Sequence, residues 1–121
     1  MALVLIVDDS PTEVRAYQQM LEKHGHEVES ATDGETSIQK AREVQPDLIL
    51  MDVVMPGMNG FQATRSLARD PDTANIPIVI ITNKDQETDK VWGMRQGARD
   101  YLVKPVKEND LIRRITDVLG G

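Results

Sequence analysis

Short apolar runs alternate with longer amphipathic stretches from one end of the chain to the other. Leu3–Val7, Leu48–Met51, Ile78–Ile81 and Tyr101–Val103 are apolar throughout. Continuous runs of that length suit parallel strands covered on both faces. Glu27–Ala31 alternates polar and apolar residues instead, which suits an edge strand.

Helical patterns fill the gaps. Ser10-Pro11-Thr12-Glu13 has the form of a capping box, with Ser10 as N-cap, Pro11 at the first helical position and Glu13 reaching back. Val14, Tyr17 and Leu21 follow at helical spacing, and Gly25 is a C-terminal stop. Asp33 can cap a second helix that turns Ile38, Ala41 and Val44 inward. Asn59 can start a third that buries Phe61, Leu67 and Ala68. A fourth, with the weakest pattern, runs roughly from Gln86 to Gln96. The last is the clearest, with Leu111, Ile112, Ile115, Val118 and Leu119 on one stripe.

The order is five repeats of strand then helix. Five such units predict an open, doubly wound parallel sheet with helices on both faces and right-handed crossovers, since a closed barrel would need eight. In an open α/β sheet the functional crevice lies beyond the carboxyl ends of the strands. Those ends carry Asp8-Asp9, Asp52, Thr82 and Lys104-Pro105.

Composition narrows the function. The 121 residues make one domain, 40% hydrophobic and 28% charged, as in soluble globular proteins. A net charge of −6 leaves no basic excess for nucleic-acid phosphates, so DNA is not an expected partner. No cysteine means no disulfide, thiol nucleophile or thiolate metal site. Leu3–Val7 is too short to span a membrane and lacks the basic start of a signal peptide. A cytoplasmic protein without membrane insertion is the expectation.

Three carboxylates, a hydroxyl and an ammonium are therefore expected in one crevice. Any one of these carboxylates alone could be a helix cap or a solvated loop residue. Two carboxylates about 4 Å apart repel by about 4 kcal/mol at an effective dielectric near 20. A divalent cation would relieve that, and oxygen-only ligation suits Mg²⁺.

Four motifs in this order, Val7-Asp8-Asp9-Ser10, Leu50–Gly60 around Asp52, Thr82 after an apolar strand, and Gly97–Pro105, resemble the receiver domain of two-component response regulators. The resemblance covers essentially the whole of 1–121. It implies a flavodoxin-like sheet of order 2-1-3-4-5 and Asp52 as phosphoacceptor from a phosphohistidine on a kinase. It implies Asp9 as a direct ligand of Mg²⁺, or of Mn²⁺ in its place, with Asp8 acting through water and Val54 through its carbonyl. Asp52 completes the metal set. Lys104 and Thr82 would contact phosphoryl oxygens, and Tyr101 would fill the space that Thr82 vacates, altering the surface of the fourth helix, fifth strand and fifth helix. Lys104-Pro105 resembles the family's cis peptide. Such a domain is not an enzyme but a phosphoacceptor that assists its own phosphorylation and dephosphorylation.

Two other readings remain at this point. Aspartate-nucleophile phosphatases of the haloacid-dehalogenase type carry D-x-D, whereas Asp8 and Asp9 are adjacent. A nucleotide or flavin module needs a phosphate loop after the first strand, where Asp8-Asp9 would repel it.

Phe61–Arg65 and Lys84–Gly93 further resemble the twitching-motility regulators of type IV pilus chemosensory systems. That implies a chemosensory histidine kinase upstream and a protein target downstream, such as the pilus motor or its regulators. A flagellar chemotaxis regulator or a phosphate sink is the alternative. The chain ends at Gly120-Gly121 after the fifth helix, so output through protein contacts rather than an attached domain is expected. Asn83 and Lys84 depart from the family's usual small and acidic or polar residues. Lys84 could bridge to Asp52 or to its phosphoryl group and, with Val54, hinder the hydrolytic water; a solvated Lys84 without effect is the alternative. Met55 and Met58, beside the site, are candidates to sense the switch. Trp92 is expected in packing or at a partner surface, and His24 and His26 have no third metal ligand in prospect.

Overall fold

The five apolar or alternating runs form strands β1 (Leu3–Val7), β2 (Glu27–Ala31), β3 (Leu48–Met51), β4 (Ile78–Thr82) and β5 (Asp100–Val103). Between and after them lie helices α1 (Pro11–Lys23), α2 (Gly34–Val44), α3 (Gly60–Arg69), α4 (Glu87–Arg95) and α5 (Glu108–Gly120). The structure is a computed structural model and describes residues 1–120; Gly121, part of the expected Gly120-Gly121 terminus, lies outside them.

All strand pairings are parallel, in the order β2-β1-β3-β4-β5. Side chains alternate across a strand, so each strand feeds two cores. Leu5, Val7, Ile49, Met51, Ile78, Ile80 and Tyr101 face Ala41 of α2 and Phe61, Ala63 and Leu67 of α3. Val4, Ile6, Leu48, Leu50, Val79, Ile81 and Leu102 face Tyr17 and Leu21 of α1 and Leu111 and Ile115 of α5. This is the doubly wound sheet that the strand–helix repeats predict.

Local signals explain most boundaries. Ser10, Asp33 and Asn59 each accept an N–H from the first turn of α1, α2 and α3. Gly25 takes φ +87° just beyond the end of α1, a conformation that favours glycine.

Three details differ from the sequence pattern. Glu13 does not reach back to close the capping box; its carboxylate bonds Lys104 instead, and the Ser10 N–H donates to Asp8. Leu119 is exposed, because the inward stripe of α5 narrows to Leu111 and Ile115 with Ile112 and Val118 partly covered. Val103 is 42% exposed, since β5 is the second edge of the sheet.

Candidate functional site

Strands β1, β3 and β5 each deliver a site residue one position past their end, where the parallel ladder still holds the backbone, and Thr82 is the last residue of β4. The Asp8 N–H donates to the Ala31 carbonyl (3.1 Å), that of Asp52 to Val7 (2.9 Å), and that of Lys104 to Thr82 (2.8 Å). The three side chains therefore emerge at one level, over the carboxyl ends of β1, β3 and β5. Asp8 and Asp52 are buried, and the Lys104 side chain is 6% exposed.

Carboxylate oxygens of Asp8, Glu13 and Asp52 lie within 4.8 Å of one another. One ammonium serves all three. Lys104 Nζ donates to Glu13 Oε2 at 2.8 Å, Asp52 Oδ2 at 3.2 Å and Asp8 Oδ2 at 3.3 Å. Asp52 Oδ1 is anchored separately by the Val53 N–H at 2.7 Å, so Oδ2 is the oxygen turned to the shared charge.

Burial pushes the Asp8 carboxyl up to about 6, against the opposing pull of the Ser10 amide and of Lys104. The charges of Asp52 and Glu13 add to the rise. Burial alone would lower Lys104, but its bond to Glu13 and the charges of Asp52 and Asp8 outweigh it and hold the ammonium above the ordinary range. Lys104 is thus a fixed cation amid surplus negative charge.

Glycine makes room for this arrangement. A Cβ on Gly60, the first residue of α3, would lie 2.0 Å from the Asp52 carbonyl oxygen and 2.7 Å from Val53 Cα. The Gly60 N–H donates to the Val53 carbonyl at 2.9 Å, fastening the loop after Asp52 to the start of α3.

Of the residues singled out from sequence, Asp8, Asp52 and Lys104 come together. Asp9 does not join them: its side chain is exposed and lines an open depression with Asp33, Glu35 and Met58. Val54 lies on the loop beyond Asp52, 62% exposed. The Lys104–Pro105 peptide is cis. Thr82 is fully buried, and its hydroxyl accepts the Lys84 N–H at 3.4 Å. Tyr101 is buried, with its hydroxyl donating to the Lys84 carbonyl at 2.8 Å. Thr82 and Tyr101 are therefore linked through the main chain of one residue. The Lys84 ammonium lies 3.9 Å from Asp89 in the first turn of α4, not on Asp52 as the sequence suggests, because helix α4 offers it a nearer carboxylate.

Glu13 was missed as a site residue. Its place in a capping-box pattern supplied a sufficient local role, and only the approach of β5 to α1 reveals the other. Away from this end, His24 pairs with Glu108 at 3.1 Å and His26 Nδ1 accepts the Ala2 N–H at 3.2 Å.

Residues 4–116 match the family model described as the response regulator receiver domain. The chain belongs to that family. Over all 121 residues the receiver is 60% identical to Protein PilH of Pseudomonas aeruginosa, with both chains covered in full. Its fold superposes on chemotaxis protein CheY4 of Vibrio cholerae with a TM-score of 0.91, at 34% identity over 98% of each chain. It also superposes on the receiver domain of the sensor histidine kinase PA1611 of Pseudomonas aeruginosa, again with a TM-score of 0.91. That pair is 29% identical over 99% of this chain and 98% of the other, and the PA1611 domain holds a magnesium ion in its active-site cleft. The receiver is a signalling switch of a two-component phosphorelay.

The donor set here fits such an ion. Among the described residues, three carboxylates converge with a single ammonium among them, and no His or Cys joins the cluster. Oxygen donors with excess negative charge suit Mg²⁺. Among the described residues, no helix is long and apolar enough to cross a membrane.

Proposed function

We propose that residues 1–121 form a single cytoplasmic receiver domain that accepts a phosphoryl group on Asp52 Oδ2 from a phosphohistidine of a chemosensory kinase. The oxygen attacks phosphorus, the P–N bond breaks, and the electron pair leaves with the histidine ring, giving an acyl phosphate. The observation that carries this reading is the convergence of Asp8, Glu13 and Asp52 on Lys104, with Oδ1 of Asp52 anchored and Oδ2 turned into the cluster.

Asp8 and Asp52 would hold Mg²⁺ (or Mn²⁺), joined by Asp9 from the rim and by the Val54 carbonyl. Bound there, the ion neutralises charge on the carboxylates and on the incoming phosphoryl oxygens. Lys104 pairs with one phosphoryl oxygen as a fixed cation, and the Thr82 hydroxyl donates to another. Catalysis in this sense is positioning and neutralisation; the chain itself is consumed as acceptor, so it is a switch and not an enzyme with its own turnover.

When Thr82 turns to the phosphoryl group it gives up the Lys84 N–H, and Tyr101 is tied to the same residue's carbonyl. The change thereby reaches α4 and the face it forms with β5 and α5, where Val91, Met94 and Val103 are exposed. A protein partner docks on that face. The full-length likeness to PilH supports a place in type IV pilus chemosensing, with the pilus motor or its regulators downstream.

The test is intact-mass spectrometry after incubation with acetyl phosphate, with and without Mg²⁺, on wild type and Asp52→Ala. One phosphoryl adduct that requires both Mg²⁺ and Asp52 is expected. An adduct that persists in Asp52→Ala would place the acceptor elsewhere.

A further inference from the structure

We infer that Glu13 is a positioning residue that holds Lys104 in the unphosphorylated state and releases it when Asp52 carries the phosphoryl group. The inference rests on Asp52 being the acceptor and adds a residue that this role does not by itself require. Of the three carboxylates around Lys104 Nζ, Glu13 makes the shortest contact, 2.8 Å against 3.2 Å to Asp52 and 3.3 Å to Asp8.

Local chemistry gives Glu13 a competing option that it declines. Three residues after Ser10, it is placed to cap its own helix, and Ser10 does accept the Glu13 N–H. The carboxylate nevertheless extends across to the residue after β5. Its reach therefore joins α1 to the Lys104–Pro105 segment, which no other side chain of α1 does among the described hydrogen bonds.

The three carboxylates are not equivalent. Asp8 and Asp52 side chains are 2% and 9% exposed, whereas that of Glu13 is 38% exposed. Glu13 can therefore let go of the ammonium at low cost, because water replaces the lost contact, while a buried carboxylate cannot. A phosphoryl group brings a charge of about −2 next to Asp52 and three strong acceptors. Lys104 is the only cationic side chain of the cluster among the described residues, and its three N–H donors are taken by the three carboxylates, so a shift to a phosphoryl oxygen draws it from Glu13, which itself repels the newcomer. Glu13 thus sets a threshold: it favours the resting arrangement and opposes the phosphorylated one.

The phosphoryl mimic beryllofluoride, titrated in saturating Mg²⁺ and followed by fluorine NMR, tests this on the full chain. Wild type is compared with Glu13→Gln, which removes the charge, and Glu13→Asp, which keeps the charge but is one methylene shorter. Thermal melts verify that all three are folded. Both variants are expected to bind the mimic about threefold more tightly, the scale of an ion pair with one partner part-exposed.

Unchanged affinity in Glu13→Gln would overturn the inference. So would tightening in Glu13→Gln with wild-type affinity in Glu13→Asp, since charge alone and not the grip on Lys104 would then be at work. Failure of all three proteins to bind, together with no phosphoryl adduct on the wild type, would overturn the Asp52 reading and this inference with it.

Discussion

Helices α3 and α4 lie on the same face of the sheet and are held in opposite ways. Helix α3 buries Gly60, Phe61, Ala63, Thr64 and Leu67, and its N-terminus is closed by reciprocal bonds between Asn59 and Gln62, both at 2.9 Å. Its C-cap, Asp70, accepts from the Arg42 guanidinium of α2 at 2.8 Å. Helix α4 buries only Gly93, and Val91, Trp92 and Met94 are exposed. At its N-terminus the Gln86 N–H donates to Asp89 at 3.3 Å, longer than either bond that closes α3. Gly93 rests on Ile80 and the Tyr101 ring, where a Cβ would come within 3.0 Å of both.

The contrast has a functional sense. The helix that fastens the Asp52 loop is fixed by core burial, while the helix beside Tyr101 is fixed by little more than a glycine seat. Elements that move in switching are drawn from the weakly held parts of a fold. A rigid α3 keeps Asp52 in place, while a loosely seated α4 is free to move.

The greatest loss of stability is expected at Gly60. Gly60→Ala drives a Cβ to 2.0 Å from the Asp52 carbonyl oxygen, which is backbone and cannot swing aside. Urea unfolding should show a loss of about 3 kcal/mol or more. A loss below about 1 kcal/mol would mean that α3 is as easily reseated as α4.

A matched pair of truncations sharpens the same point. Leu67 on α3 is fully buried and Trp92 on α4 is 48% exposed. Leu67→Ala is expected to cost about 3 kcal/mol in the same assay. Trp92→Ala should cost under about 0.5 kcal/mol, as surface changes do. Equal losses would contradict the assignment of α4 as the weakly held helix.

The smallest effect concerns the cap of α3. The Asp72 N–H, and then Arg42, hold the Asp70 carboxyl below its ordinary 3.8. The folded state therefore binds fewer protons than the unfolded one, and the contribution is complete above that value. It is lost as pH falls through the lower, folded value. The difference in Tm between wild type and Asp70→Asn should thus shrink on acidification below pH about 3.8. A difference independent of pH would show that the ionised carboxylate is not what ties this end of α3 to Arg42 and the Asp72 N–H.

Much of this was legible without coordinates. The run Leu48–Met51 followed by Asp52 announces a buried strand that delivers a carboxylate, and Asn59 announces the start of α3. Glu13 was not legible in the same way, because its spacing from Ser10 satisfies a local rule that the tertiary structure overrides. Nor was the exposed position of Asp9, which only the direction of its side chain after β1 reveals. Lys84 was drawn toward Asp52 by its nearness in sequence to Thr82, yet the first turn of α4 brings Asp89 to it.

The alternation of strands and helices, the two-sided burial of the central strands and the residues at their carboxyl ends are all written in the order of the residues. Those features follow from periodicity and local chemistry, which act over a few neighbours. Which carboxylates share the Lys104 ammonium, and that Gly60 and Gly93 sit tight against Asp52 and Tyr101, follow from packing alone. Such contacts join residues far apart in the chain, and their distances are set by how strands and helices pack, which no local pattern encodes.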